Sequence, residues 1–231
     1  MGETPGVSSV AFDNWFRDHL RATTPGGRAA ADTASYVTMG AAMAEPLALD
    51  LYIAAGQHDL KRAGQWAIAD IGGLVGGFVL NHFVLKPLAT RAGFHSQRPL
   101  AGECLKNPAY DAYCTSPELT TGMPSDHSAN AATGAGLTLG KVLFDRSLRK
   151  NTPLVIGTAA FGIASMLATN AGRIAADKHW TSEVLAGDTV GLTVGMGTAL
   201  AAKALRVGSD TLTLTPALTH QSFSLSAQGV F

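Results

Sequence analysis

Gly172-Arg173-Ile174-Ala175-Ala176-Asp177-Lys178-His179-Trp180-Thr181-Ser182-Glu183 sets a guanidinium, an imidazole and a carboxylate in one short segment between two apolar runs. If the residues from His179 onward are helical, His179 and Glu183 stand one turn apart on the same face. The carboxylate can then accept from one ring nitrogen and leave the other free, and Arg173 can hold an anionic substrate beside that free nitrogen. Taken alone, the segment also reads as a solvated loop of mixed charge between helices. Asp177 and Lys178 are expected to face water, and Trp180 to pack.

The flanking runs have helical pattern. Pro153 to Asn170 reads as one helix and His179 to Leu205, rich in Gly and Ala, as the next. Working back towards the start, Ser125 to Phe144 is a helix, joined to Pro153 by the basic turn Asp145 to Thr152. Lys86 to Met123 is loop-like, with Pro87, Pro99, Pro108 and Pro117, and a loop of that length inside a compact chain is usually functional or disordered. About Ala63 to Leu85 a helix carries Gly72-Gly73 and Gly76-Gly77, a small-residue face that permits close helix approach. Another, about Ala31 to Ala55, contains Pro46 as an expected kink, and Pro25-Gly26-Gly27 ahead of it reads as a breaker. Val10 to Ala22 has Phe12, Trp15, Phe16 and Leu20 on one side at helical spacing, and either packs on the core or lies on a membrane surface. Residues 1–9 are a disordered lead. After Gly208 the pattern changes to period two in Thr211–Thr215 and Ser222–Ser226, which reads as two short strands or an extended arm. A helical domain over 1–207 and an extended tail over 208–231 follow from this.

A chain of 231 residues can bury a full core in one domain. Hydrophobic residues make up 46% and charged residues 15%, drier than an ordinary soluble domain, and the 17 acidic and 17 basic residues cancel. No overall field recruits nucleic acid, so local clusters must do any anion binding. Cys104 and Cys114 suit a small disulfide loop in an oxidising compartment or two free thiols in a reducing one. There is no CxxC and no zinc-ligand spacing. Met1 to Gly6 lacks the basic and apolar parts of a signal peptide, so an exported protein would have lost its signal already.

Two further polar segments sit at helix ends. In Arg91-Ala92-Gly93-Phe94-His95-Ser96-Gln97-Arg98-Pro99, two guanidiniums can converge on one tetrahedral oxyanion. In Met123-Pro124-Ser125-Asp126-His127-Ser128, a helix N-terminus offers unpaired N–H groups, Ser125 a hydroxyl, and His127 a proton for a leaving oxygen. The plainer reading makes Ser125 or Asp126 an N-cap.

Together the three segments resemble the signature of the type 2 phosphatidic acid phosphatase superfamily, which includes the vanadium-dependent haloperoxidases: KxxxxxxRP, then PSGH, then SRxxxxxHxxxD. Here they read Arg91-x6-Arg98-Pro99, Pro124-Ser125-Asp126-His127 and Gly172-Arg173-x5-His179-x3-Glu183, in the same order and with the same internal spacings. The resemblance implies an all-α six-helix bundle with its active site at one end. It also implies phosphoryl transfer through a phosphohistidine on His179, with Glu183 orienting its ring and His127 protonating the leaving oxygen. Arg91, Arg98, Ser125, the N–H of Asp126 and Arg173 would hold the phosphate, with no metal and no resident cofactor. In the haloperoxidase alternative His179 binds vanadate, and a non-catalytic phospholipid- or anion-binding bundle is the third reading. Arg91 stands for the family's Lys, with Lys86 out of register; Asp126 stands for Gly, so its carboxylate must point away from substrate; Glu183 stands for Asp and Gly172 for Ser.

The implied partner is a phosphorylated lipid or small phosphate ester, with a membrane surface as a second contact. Glu45, Asp50, Asp70, Asn81 and Asp188 interrupt the apolar helices, which favours a soluble or peripherally bound protein. Lys61, Arg62, Arg146, Arg149, Lys150, Lys203 and Arg206 fall opposite the catalytic loops in such a layout. The positive-inside rule then puts the site in the cell envelope, in the periplasm or on the outer face of the inner membrane.

Overall fold

The computed structural model describes residues 11–92, 98–207, 213–219 and 222–228, and the fold is helical. The helices are α1 (Ala11–Leu20), α2 (Pro25–Leu51), α3 (Leu60–Val79), α4 (Lys86–Arg91), α5 (Ala101–Lys106), α6 (Asp126–Phe144), α7 (Arg146–Arg149), α8 (Thr152–Ala175) and α9 (Thr181–Val207). Single π-helical stretches, Tyr52–Gly56 and Leu80–Leu85, extend α2 and join α3 to α4. Beyond α9, Thr213–Thr219 and Ser222–Gln228 pair antiparallel; Thr211 and Leu212 lie outside the described residues.

Local chemistry explains where the elements begin. Pro25-Gly26-Gly27 starts α2 rather than breaking the chain, because Pro25 occupies the first turn, where its missing N–H costs nothing, and Thr24 accepts from Gly27 N at 3.1 Å. Asp59 caps α3 through Arg62 N at 3.0 Å, and Asn151 caps α8 through Leu154 N at 3.2 Å. The stretch from Lys86 to Met123 is not a plain loop: it holds α4, α5 and two 3₁₀ turns, Ala112–Thr115 and Pro117–Thr120, stapled by a Cys104–Cys114 disulfide.

α6 is the central rod, buried along nearly its whole length, with α2, α3, α8 and α9 around it. Its closest neighbour is α9, where Gly187, Gly191 and Gly195 recur every fourth residue against the carbonyls of Ser125, which caps α6, and of Ala129 and Thr133 on it, which recur at the same interval. A methyl at Gly191 would run into the Ala129 carbonyl, whereas one at Gly197 would meet open space. Gly191→Ala is therefore expected to destabilise the fold by about 1–3 kcal/mol through overpacking. Gly197→Ala is expected to be neutral or mildly stabilising through helix propensity alone. Thermal unfolding of the two variants side by side checks this; equal midpoints would contradict it.

The polar residues that interrupt the apolar helices all turn inward. Glu45, Asp50, Asp70, Asn81 and Asp188 are each buried. Lys141 on α6 binds the carboxylates of Asp50 and Asp70 and the Pro46 carbonyl, and Asn170 donates to Asp188 at 2.7 Å. The outer surface is correspondingly apolar: Val37, Ile71, Phe83, Ile156 and Leu200 are among the large side chains left exposed. Pro25–Gly56, Leu60–Arg91, Thr152–Ala175 and Thr181–Leu205 are each long and apolar enough to cross a membrane. The interruptions therefore mark the inside of the bundle and leave a lipid-compatible exterior.

Candidate active site

The three polar segments meet at one end of the bundle, where α6 and α9 begin and α8 ends. The loop from α8 to α9 turns through Asp177, whose φ of 60° is left-handed. Lys178 N donates to Arg173 O at 3.1 Å, and Leu100 N donates to Asp177 O at 3.1 Å. Contrary to the sequence expectation, Asp177 and Lys178 are buried, because neighbouring elements supply their partners. Arg17 on α1 donates to the Asp177 carboxylate at 2.6 and 2.9 Å and to Pro99 O at 3.3 Å, fastening two motif segments together. Asp13, also on α1, accepts from Ser182 N and Oγ at 2.7 Å each.

His179 is buried, and its Nδ1 lies 2.7 Å from Glu183 Oε2. A carboxylate only accepts, so Nδ1 carries the proton and Nε2 the lone pair. Glu183 Oε2 also accepts from Trp180 N at 3.2 Å, the reach-back of a capping box, which fixes the carboxylate before it fixes the ring. Nε2 lies 3.4 Å from Arg98 Nη1. Burial first, then the charges of Arg98, Arg173 and Lys86, push the His179 pKa well below its ordinary value, so the ring is neutral.

Arg98 is itself held by Glu118 O at 2.7 Å, Lys178 O at 3.2 Å and the Glu118 carboxylate at 3.1 Å. Arg173 is buried, paired with Asp32, and its Nε has no hydrogen-bond partner among the described residues. Ser125 caps α6: its Oγ accepts from Ser128 N at 3.4 Å and Ser128 Oγ at 3.1 Å, leaving its own O–H to donate. His127 Nε2 is buried with no hydrogen-bond partner among the described residues, and the Tyr36 ring stands edge-on to it at 4.4 Å.

The PAP2 superfamily matches residues 74–206, more than half of the chain and the whole span from the first polar segment to the third. The chain belongs to the PAP2 superfamily. No curated protein and no solved structure matches it.

One position departs from the motif register of this PAP2 chain. Arg91, read in the place of the family's lysine, is exposed at the end of α4, while Lys86 is buried and its Nζ donates to Asp126 Oδ2 at 2.6 Å. The cause is the π-helical stretch Leu80–Leu85. Five residues separate Asn81 from Lys86, far apart around an α-helix but close to one turn of a π-helix. Both therefore reach Asp126, Asn81 Nδ2 at 2.7 Å, with His82 Nδ1 at 3.1 Å completing the set. The Asp126 carboxylate thus points towards α3 and α4, as its replacement of Gly required, and orients Lys86. Gly172, in the family's Ser position, makes room for α2: a methyl there would lie 2.9 Å from both Ala31 O and Ser35 Cβ. His95 lies outside the described residues.

Burial first, then Arg173, Arg98 and Lys86, push the His127 pKa down to about 3, against the pull of Asp126. At neutral pH His127 is therefore uncharged and has no proton to give. A phosphate bound in the same cage would act in the opposite direction, and its monoanion, whose second ionisation lies at about 6, would bring the proton with it. We expect kcat/KM for a phosphate monoester to fall as pH rises past that value. A profile flat from pH 5 to 8 would contradict this.

Proposed function

We propose that this PAP2 chain is a metal-independent phosphatase that transfers a phosphoryl group to His179 and then to water. The observation that carries the reading is the buried, neutral His179, its Nδ1 anchored on Glu183 and its Nε2 turned towards Arg98. His179 Nε2 attacks phosphorus as the bond to the alcohol oxygen breaks, and His127 gives that oxygen its proton. Glu183 offsets the positive charge that the ring acquires. Water then attacks phosphorus as the bond to His179 Nε2 breaks, with His127 taking the water's proton, which releases phosphate and restores His179. Lys86, Arg98, Arg173 and the Ser125 hydroxyl hold the equatorial oxygens, the place a metal ion takes in other phosphoryl-transfer sites.

The apolar exterior and the four long helices support a bundle seated in a membrane, its catalytic end at the water interface, acting on a phosphate presented there, most naturally on a lipid. The basic residues Arg62, Arg146, Arg149 and Lys150 lie at the opposite end of the helices. With the Cys104–Cys114 bridge beside the site, this favours a catalytic face outside the cytoplasm, in the cell envelope. Inorganic phosphate release by the detergent-purified protein, with EDTA present, tests the reading. Turnover that survives the chelator and is inhibited competitively by orthovanadate is expected. A requirement for an added divalent cation, or no release from any lipid or soluble ester, would overturn it.

A further inference from the structure

Arg98 Nη1 stands 3.4 Å from His179 Nε2. A guanidinium carries five N–H donors, and the protein itself takes three of those on Arg98. Glu118 O accepts from Nε at 2.7 Å, the Glu118 carboxylate from Nη2 at 3.1 Å and Lys178 O from Nη1 at 3.2 Å. One N–H remains on each terminal nitrogen, the fork that bridges two oxygens of a phosphate. The main chain is fastened at the same place, Arg98 N donating to Leu119 O at 2.9 Å. The 3₁₀ turn Pro117–Thr120 therefore holds both the backbone and the side chain of Arg98.

Glu118 needs help to do this. Its side chain is 52% exposed while that of Arg98 is 2% exposed, and an exposed glutamate gives up rotamer freedom and solvation to stay in one place. Tyr113 supplies the help: its phenol donates to Glu118 Oε2, the same oxygen that takes Arg98. That hydrogen bond first, then the charges of Arg98 and Lys86, hold the Glu118 carboxyl below its ordinary range against desolvation. Burial first, then Glu118, push the Tyr113 phenol up, so Tyr113 stays a donor and Glu118 an acceptor. The Tyr113 ring also meets Lys178 Nζ at 3.6 Å and the Arg98 guanidinium at 5.2 Å, touching cations of two motif segments at once.

The disulfide fixes Tyr113 in turn. Tyr113 lies in the 3₁₀ turn Ala112–Thr115, which Asp111 caps by accepting from Tyr113 N at 2.9 Å. The next residue, Cys114, is bonded to Cys104 on α5. α5 begins at Arg98 itself, Ala101 N donating to Arg98 O at 2.9 Å. A closed circuit results, from Arg98 through α5, the bridge, Tyr113 and Glu118 back to the guanidinium. Its one covalent cross-link is the bridge.

We propose that Glu118 and Tyr113 are positioning residues for Arg98, held by the Cys104–Cys114 bridge, so that the affinity of the site for phosphate depends on that bridge. The proposal deepens the phosphatase reading, on which it rests for the role of Arg98. A dithiol opens the bridge by giving two electrons and two protons to the two sulfurs, and is itself oxidised to a disulfide. Tyr113 then loses its tether, Glu118 is released to solvent, and the Arg98 fork loses its aim.

The test measures binding of inorganic phosphate by titration calorimetry, beside kcat/KM, on the detergent-purified protein. Glu118→Ala is expected to weaken phosphate binding and lower kcat/KM by about 10–100-fold, the scale on which a small misplacement in an active site acts, with an unchanged unfolding midpoint. Glu118→Gln keeps an acceptor for Arg98 and should recover most of the loss, and Tyr113→Phe should show part of it. In an Arg98→Lys background, which has no fork to aim, Glu118→Ala should cost nothing more. Dithiothreitol should weaken phosphate binding by the wild type about tenfold, reversibly on reoxidation, and leave Glu118→Ala and the Cys104→Ser/Cys114→Ser double variant unmoved. Wild-type phosphate affinity in Glu118→Ala, or additive losses in the Arg98→Lys background, would overturn the positioning role. An affinity unchanged by dithiothreitol, with two free thiols counted by titration, would overturn the dependence on the bridge. No turnover on any ester, with phosphate binding still weakened by Glu118→Ala, would overturn the phosphatase reading and leave the positioning of Arg98 standing.

Discussion

His179→Gln is expected to lower kcat by on the order of 10⁴–10⁶-fold, the scale on which enzymes lose rate when a covalent nucleophile is removed. Glutamine fills a similar volume in a fully buried position, so a loss of this size with an unchanged unfolding midpoint isolates the chemistry from the fold. Glu183→Gln is expected to cost about 10³–10⁴-fold, because an amide can hold the ring in the wrong tautomer and cannot offset its developing charge. The two variants differ in what they trap. After acid-avoiding quench with a labelled ester, the wild type should carry acid-labile, base-stable phosphate, His179→Gln none, and Glu183→Gln the same adduct formed slowly. His127→Asn should be partly rescued by an aryl ester whose leaving group needs no proton, and neither histidine 179 nor glutamate 183 variants should be. Labelled protein in His179→Gln would move the nucleophile elsewhere.

Much of this site was legible because its chemistry is written in short local spacings. His179 and Glu183 are one helical turn apart, and the capping bond from Glu183 to Trp180 needs nothing beyond that turn. Ser125, His127 and Arg173 each lie at a helix end that pattern alone could place. What the sequence hid depends on partners far along the chain. Asp32 meets Arg173 across 141 positions, Arg17 meets Asp177 across 160, and Asp13 meets Ser182 across 169; no local spacing announces such pairs. Asp177 and Lys178 read as solvent-facing from the sequence for that reason, and both are buried. The membrane question turned on the same blindness in a different form. Composition counts Glu45, Asp50, Asp70 and Asp188 against insertion, but only the packed structure shows which way they face, and all four face in. Pro25-Gly26-Gly27 has the composition of a breaker, but Thr24 as N-cap makes it the start of α2.

Lys86 is the buried cation that the sequence conceals most completely, and the role proposed for it supports the second large effect. Reading the helix as regular puts Lys86 out of register and promotes Arg91; the π-helical stretch reverses this, burying Lys86 and leaving Arg91 exposed. The available signal was the one full charge in Val79-Leu80-Asn81-His82-Phe83-Val84-Leu85-Lys86, a cation an apolar helix would not keep without a partner. Lys86→Met is expected to reduce kcat/KM by about 10²–10³-fold, the cost of deleting one preorganised donor to a transferring phosphoryl group. Arg91→Ala should stay within about threefold, as for an exposed charge. Removing Lys86 has a second consequence: the Asp126 carboxylate, which burial alone would raise in pKa but which Lys86 and the hydrogen bonds from Lys86, His82 and Asn81 hold down, loses its counter-charge beside an anion site. Part of the loss is therefore repulsion of substrate, and Asp126→Asn in the Lys86→Met background should recover about tenfold of it while lowering KM. In the wild-type background Asp126→Asn should instead be harmful, because Lys86 is no longer aimed. This sign reversal in a double-mutant cycle is the coupling that a shared electrostatic cage requires, and additive losses would show that Lys86 and Asp126 merely pack the helix end.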